Sequence, residues 1–250
     1  MTVALFVPCY VDQLYPGVAQ ATLEVLERQG CTVEVPLDQT CCGQPMANAG
    51  FEGESEGAMR RFVDTFAPYE AIVAPSGSCV AQVRLHYGRL RQTAAVQHVR
   101  SRTFELCEFL TDQLGVTSLD ARFPHRVGLH ESCHGLRGLR LGRASELNIP
   151  PYSKVRRLLE MVDGLDLVPL DRADECCGFG GTFAVTQEAL SVKMGRDRLR
   201  DHVGHGAEVI TATDMSCLMH LGGLARRQAL PVQIRHVAQI LNGEALPVTV

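Results

Sequence analysis

Short apolar runs alternate with amphipathic stretches along this chain, and the alternation occurs twice. Val3-Ala-Leu-Phe-Val7 reads as a strand. Val18, Ala21, Val25 and Leu26 then recur at helical spacing up to a stop at Gly30. Cys31-Thr-Val-Glu-Val35 reads as a second strand, residues 59–66 as a helix and Glu70-Ala-Ile-Val-Ala74 as a third strand. The second pass runs through Val127-Gly-Leu-His130, helical patterns over 155–162 and 189–203, and the apolar run 207–212. Even the tails match, residues 104–110 lining up with 235–241. Strand, helix, strand, helix, strand at these lengths predicts a parallel sheet with right-handed crossovers. The expected fold class is therefore α/β, with two tandem pseudo-symmetric cysteine-rich domains, each a small parallel sheet flanked by helices. The halves are expected at 1–122 and 123–250, meeting near residues 120–125.

Composition narrows the classes. The 250 residues are 46% hydrophobic and 21% charged, which excludes a disordered chain and a collagen. No apolar run approaches the roughly 20 residues of a spanning helix. With 24 Lys+Arg against 28 Asp+Glu, a broad basic surface for nucleic acid is not expected. Lys154 and Lys193 are the only lysines, an arginine bias read as genomic. The first nine residues lack the basic n-region and cleavage site of a signal peptide, so a cytoplasmic location is expected. There a disulfide framework is disfavoured, and ten cysteines point to metal binding or redox chemistry.

Eight of the cysteines form a repeat: Cys9, Cys41-Cys42-Gly43 and Ser78-Cys79, then Cys133, Cys176-Cys177-Gly178 and Ser216-Cys217. In the expected sheet Cys9 ends the first strand, the Cys-Cys-Gly loop follows the second and Cys79 ends the third. All then lie at the carboxyl edge, where such folds place ligands. The same placement holds for Cys133, Cys176, Cys177 and Cys217.

Four thiolates at one point need a cation, which leaves zinc or an iron–sulfur cluster. Structural zinc sites usually use C-x₂₋₄-C knuckles, and none is present here. Adjacent cysteines diverge along the chain and suit a multi-iron group, one per half, better than a single ion. Zinc stays open, particularly for the second half. Buried thiols acting as small apolar residues account for Cys31 and Cys107, which have no counterpart in the repeat. A redox-active vicinal disulfide at Cys41–Cys42 or Cys176–Cys177 would leave Cys9 and Cys79 unexplained.

These motifs resemble the cysteine-rich Cys-Cys-Gly family that includes the heterodisulfide reductase B subunit and the iron–sulfur subunits of glycolate oxidase and anaerobic glycerol-3-phosphate dehydrogenase. Pro75-Ser-Gly-Ser-Cys79 and Cys176-Cys-Gly-Phe-Gly-Gly-Thr-Phe183 resemble its lactate utilization A branch, over essentially the whole chain. The resemblance implies an iron–sulfur oxidoreductase subunit, with a cluster of the 4Fe–4S type in each half, that passes electrons as L-lactate is oxidised to pyruvate. It implies an iron–sulfur partner resembling protein B and a third protein, C, with activity depending on them. Its eight repeated cysteines would be the cofactor and metal ligands. In the heterodisulfide reductase subunit each set ends C-x-x-C, giving five ligands. Here the earlier position is Ser76 or Asp214, so disulfide-cleaving chemistry is not expected. Two rival readings are a zinc-stabilised scaffold that docks an iron–sulfur partner, and electron transfer from glycolate or another 2-hydroxy acid.

Three further features invite a reading. Gly178-Phe-Gly-Gly181 precedes a helix but lacks a full dinucleotide fingerprint; it is expected to give the backbone room beside a cluster. His130 and His134 lie close to Cys133 in sequence, with His134 left as a proton donor, a ligand or a local hydrogen-bonding group. The extra stretch between Cys133 and its pair carries Arg137, Arg140 and Arg143, either a carboxylate grip or a solvated loop. His202 and His205 are expected as cations at a helix C-terminus.

Overall fold

The computed structural model describes residues 1–246. Two four-stranded parallel sheets form its frame. The first holds β1 (Thr2–Leu5), β2 (Thr32–Glu34), β3 (Ile72–Ala74) and β4 (Thr103–Glu105) in the order β2-β1-β3-β4. The second holds β5 (Arg126–Leu129), β6 (Asp166–Leu167), β7 (Val209–Ala212) and β8 (Gln233–His236) in the order β6-β5-β7-β8. The central strands β3 and β7 are buried throughout, as apolar strands covered on both faces must be.

The helices arise where the periodicity places them: Pro16–Arg28, Glu52–Phe66, Lys154–Leu159 and Glu188–Gly204. Pro16 stands at a helix start, where its missing N–H costs nothing. The buried face of Glu52–Phe66 carries Met59, Phe62, Val63 and Phe66. Phe62 and Phe66 meet the ring of Phe6 edge-on at 4.8 and 5.6 Å.

Two expectations are corrected. Each sheet has a fourth strand, β4 or β8, within the matching tails. The first and third cysteines of each set do not end strands. Cys9 opens the helix Cys9–Leu14, and Cys79 lies in the helix Gly77–Ala81. Cys217 lies in Met215–Arg227, and Cys133 immediately precedes the π-helical turn His134–Gly138. The loops between strand and helix carry the thiols a few residues beyond the sheet edge.

The halves are not side-by-side beads. The last helix of the second half, Val237–Leu241, packs on Pro16–Arg28 of the first, while Leu106–Glu108 of the first packs on Lys154–Leu159 of the second. A continuous buried cluster joins Phe6, Phe62 and Ile72 to Val127, Leu158 and Ile240. This reciprocal docking also brings Cys9–Leu14 against Met215–Arg227, and Gly77–Ala81 against His134–Gly138.

Equivalent ends of β4 and β8 carry Glu105 and His236, both fully buried. The Glu105 carboxylate accepts hydrogen bonds from the N–H groups of Cys107 (2.7 Å) and Glu108 (3.2 Å). Burial nevertheless pushes its pKa up to about 8, with Glu108 and Asp214 adding repulsion. Below pH 4.5 the carboxyl is protonated in both the folded and the unfolded chain. Between 4.5 and about 8 only the folded chain keeps the proton, so stability falls as pH rises through that window. Glu105→Gln is therefore expected to stabilise the chain by about 1–3 kcal/mol at pH 7 and to be nearly neutral at pH 4. Urea unfolding at the two pH values checks this, and an equal effect at both would contradict it.

Candidate metal centre

The chain leaves β1 for the first sulfur and crosses to β2 on one side and β3 on the other. Cys9 and Cys79 thus follow the two strands between which the sheet order reverses, the crevice where open parallel sheets bind ligands. Cys41 and Cys42 enter from the loop after β2. The Cys9 and Cys41 sulfurs are 3.8 Å apart, and Gly43 N–H donates to Cys41 Sγ at 3.4 Å. Gly43 itself adopts φ +86°, a left-handed conformation that favours glycine. Hydrogen bonds from the Cys42 and Cys9 thiols, then the Gly43 N–H, bring Cys41 down to about 3, against the opposing effect of burial. Cys9, donating to Cys41 and partly buried, is pushed up.

The second set repeats this. Cys176 is brought down to about 2 by the thiols of Cys133 and Cys177 and by the Gly178 N–H. Gly178 N–H donates to Cys176 Sγ at 3.4 Å and Phe179 N–H to Cys177 Sγ at 3.5 Å. The glycine-rich segment thus supplies N–H donors to sulfur. Cys217 is lowered to about 7, chiefly by Cys177 and also by His130. His130 lies just past the end of β5, and one of its ring nitrogens, with the sulfurs of Cys177 and Cys217, makes three donor atoms within 4.8 Å of one another. His134 is placed differently, its Nδ1 3.7 Å from Cys133 Sγ at the start of the π-helical turn.

The two sets share one cleft. Cys9, Cys42, Cys79, Cys133, Cys176, Cys177 and Cys217 all line it, and Cys41 faces a neighbouring pocket with Cys9. The cleft encloses about 120 Å³ and is walled also by Tyr10, Phe179, Gly180 and Gly181. Such a volume exceeds that of a few ordered waters. Buried sulfurs with N–H donors aimed at them, and a buried imidazole whose nitrogens meet sulfur but no nitrogen or oxygen partner among the described residues, are a donor set that fits a thiolate-bound metal or iron–sulfur group.

The cysteine-rich domain family (CCG) matches residues 3–84 and again residues 127–222. The chain belongs to that family. It is also similar over nearly its full length to proteins called lactate utilization protein A. One from an Exiguobacterium species is 42% identical, covering 96% of each chain; another from Shouchella clausii is 39% identical, covering 98% of this chain and all of its own. A third, from Geobacillus thermodenitrificans, is 38% identical over 97% of this chain and 99% of its own.

Against that family background, the structure gives Ser76 and Asp214 a place. They are equivalent N-cap positions of the helices bearing Cys79 and Cys217, and they bond to each other across the halves. Ser76 Oγ donates to Asp214 Oδ1 at 2.9 Å, as does Ser78 N–H, also at 2.9 Å. Ser132 Oγ donates to Asp214 Oδ2 at 2.5 Å. Ser76 and Asp214 thus fasten the two halves together.

Other candidates lie elsewhere. Cys31 and Cys107 are buried in the hydrophobic core, and none of the ten cysteines is in a disulfide. Arg137 pairs with Glu146 and Asp174, and Arg143 donates to the Ile149 carbonyl, so these arginines brace their own loop. None of Arg137, Arg140 and Arg143 lines the cleft. The cationic reading of His202 is overturned: it is fully buried beside Arg198, and burial drives its pKa down to about 2. His205 does pair with Asp171 and Asp201. Among the described residues no helix is long and apolar enough to cross a membrane.

Proposed function

We propose that this chain is an iron–sulfur electron-transfer subunit serving the oxidation of L-lactate to pyruvate, in company with an iron–sulfur partner like protein B and a third protein, C. The observation that carries the reading is the single cleft lined by thiols of both halves. Two centres held by Cys9, Cys41, Cys42, Cys79 and by Cys133, Cys176, Cys177, Cys217 would lie close together, as an electron relay requires. The names of its relatives supply the substrate. When bound, the group supplies one-electron acceptance and release. The residues do the rest: the Gly43, Gly178 and Phe179 N–H groups support negative sulfur, and the aromatic walls Tyr10 and Phe179 limit water.

The lining of the cleft also divides the labour. No Arg or Lys is among its described lining residues, so nothing there grips a carboxylate bidentately. Substrate oxidation accordingly belongs to the assembled system. One observation favours a zinc-stabilised scaffold instead: 3.8 Å between Cys9 and Cys41 is about the edge of a sulfur tetrahedron around a single ion with bonds near 2.3 Å.

Anaerobic protein is expected to be bleached by dithionite, to stay oxidised with L-lactate alone, and to be reduced by L-lactate once the partner proteins are added. Glycolate in the same assay reports substrate choice. Rapid lactate oxidation by the single chain, or no reduction in the complete system, would contradict the proposal.

A further inference from the structure

We infer that His130 is a ligand of the second-half metal centre, so that the two centres differ in donor set: sulfur alone in the first half, sulfur with one imidazole nitrogen in the second. The inference rests on the cleft holding metal, but not on that metal being iron.

The internal repeat isolates the residue. Three positions before Cys9 stands Phe6, and three positions before Cys133 stands His130. Both are almost completely buried. Phe6 satisfies its position with apolar packing alone, edge-on against Phe62 and Phe66. The fold therefore needs only an apolar ring here, and an imidazole brings two polar nitrogens into the interior.

Among the described residues neither nitrogen has a nitrogen or oxygen partner, and the one polar group the ring meets is the Cys217 sulfur. Buried polar atoms are nearly always paired, so a ring whose nitrogens face only sulfur points to a ligand shared with those sulfurs. The nearest ring, His202, is 6.5 Å away between centroids. The Cys177 and Cys217 sulfurs and a His130 nitrogen instead lie within 4.8 Å of one another. Donors 2.0–2.3 Å from one ion would be about 3.5–3.8 Å apart, so closing the set asks for a contraction of about 1 Å. The main chain of His130 is anchored as well: its backbone N–H donates to the Thr211 carbonyl at 2.8 Å, extending the β5–β7 ladder.

Imidazole in place of thiolate on iron removes negative charge and raises the reduction potential. The second-half centre is then the more oxidising of the two, which gives electron flow through the cleft a direction.

The test uses the full chain reconstituted anaerobically with iron and sulfide, with metal counted before spectroscopy. The reduced parent is expected to show a strong nitrogen hyperfine coupling in pulsed EPR. His130→Cys should lose that coupling, keep its iron and shift one reduction potential downward. His130→Phe, which installs the first half's residue, should lose it with the unfolding midpoint maintained. His134→Gln should retain it. An iron-loaded parent without the coupling overturns the assignment, as does a coupling that survives in His130→Cys or disappears in His134→Gln. If the parent takes up zinc and no iron, the electron-transfer reading fails. X-ray absorption at the zinc edge then decides the ligand: nitrogen present in the parent and absent in His130→Cys supports it, and sulfur alone in the parent overturns it. A parent that binds neither metal overturns both.

Discussion

Asp214→Ala is expected to destabilise the folded chain by about 3–5 kcal/mol, since three hydrogen-bond donors lose one shared acceptor. Asp214 is 1% exposed and has no ion pair among the described residues; three donors alone support its carboxylate. Truncation leaves the Ser76 and Ser132 hydroxyls and the Ser78 N–H buried without their acceptor, each costing about 1–3 kcal/mol before relaxation. Part of that loss is offset because a buried charge disappears. Two of the donors belong to the first half and one to the second, so the change also loosens the seam along the cleft. Ser76→Ala, which removes one donor and leaves the carboxylate two, should cost about 1 kcal/mol. Urea unfolding of both variants checks the contrast. Equal stability of Asp214→Ala and the parent would show that the seam is held by apolar packing alone.

Gly178→Ala should be nearly as damaging, and much worse than the same change at Gly43. Both glycines have left-handed φ, +87° and +86°. An added Cβ at Gly178 would stand 2.7 Å from both the Ser191 carbonyl oxygen and the Met194 Cβ, in the helix Glu188–Gly204. That backbone cannot retreat without moving the helix, and Ser191 Oγ ties it to the Gly178 carbonyl at 2.7 Å. At Gly43 the nearest atom, the Ser55 carbonyl oxygen, is 3.2 Å away, a contact that a small shift relieves. The left-handed conformation costs a non-glycine residue about 1 kcal/mol at either site. The clash raises the total to about 3 kcal/mol or more at Gly178, against about 1–2 kcal/mol at Gly43. Because the Gly178 N–H also supports Cys176, metal in the second half should fall with stability. Thermal unfolding and metal content per chain measure both effects. A Gly178→Ala protein with the parent's midpoint and metal content would contradict the packing argument.

Most of the framework was legible because the sequence states it twice. Helical spacing at Val18, Ala21, Val25 and Leu26, and again through residues 189–203, left little choice of element. The apolar runs around Ile72 and Ile210 could only be strands buried on both faces. β4 and β8 were hidden by brevity: Thr103–Glu105 and Gln233–His236 are three and four residues long. Each is followed at once by a helix, so neither displays a strand period. The helix Cys9–Leu14 was hidden in the same way, since six residues with one buried side chain carry no readable face.

The site was legible residue by residue but not as an assembly. Spacing placed each set of cysteines at a sheet edge. Only the exchange of helices between halves brings both sets into one cleft, and that exchange depends on which apolar faces dock, not on their period. His130 had a readable signal in the repeat itself, the polar ring standing where the first half has Phe6. Its path to Cys177 and Cys217 had none, because those partners lie some fifty and ninety residues further along the chain. His202 misled for a related reason: a helix C-terminus favours a cation only where water or an anion can reach it, and Arg198 occupies that space.

The most direct measurement is iron, acid-labile sulfide and zinc per chain after anaerobic purification, with EPR before and after dithionite. The expected result is about four iron atoms and about four sulfides per half. A reducible signal should accompany them, diminished in Cys41→Ser and in Cys177→Ser. One zinc per half, no sulfide even after reconstitution and no reducible signal would contradict an electron-transfer subunit and leave a zinc-braced scaffold in its place.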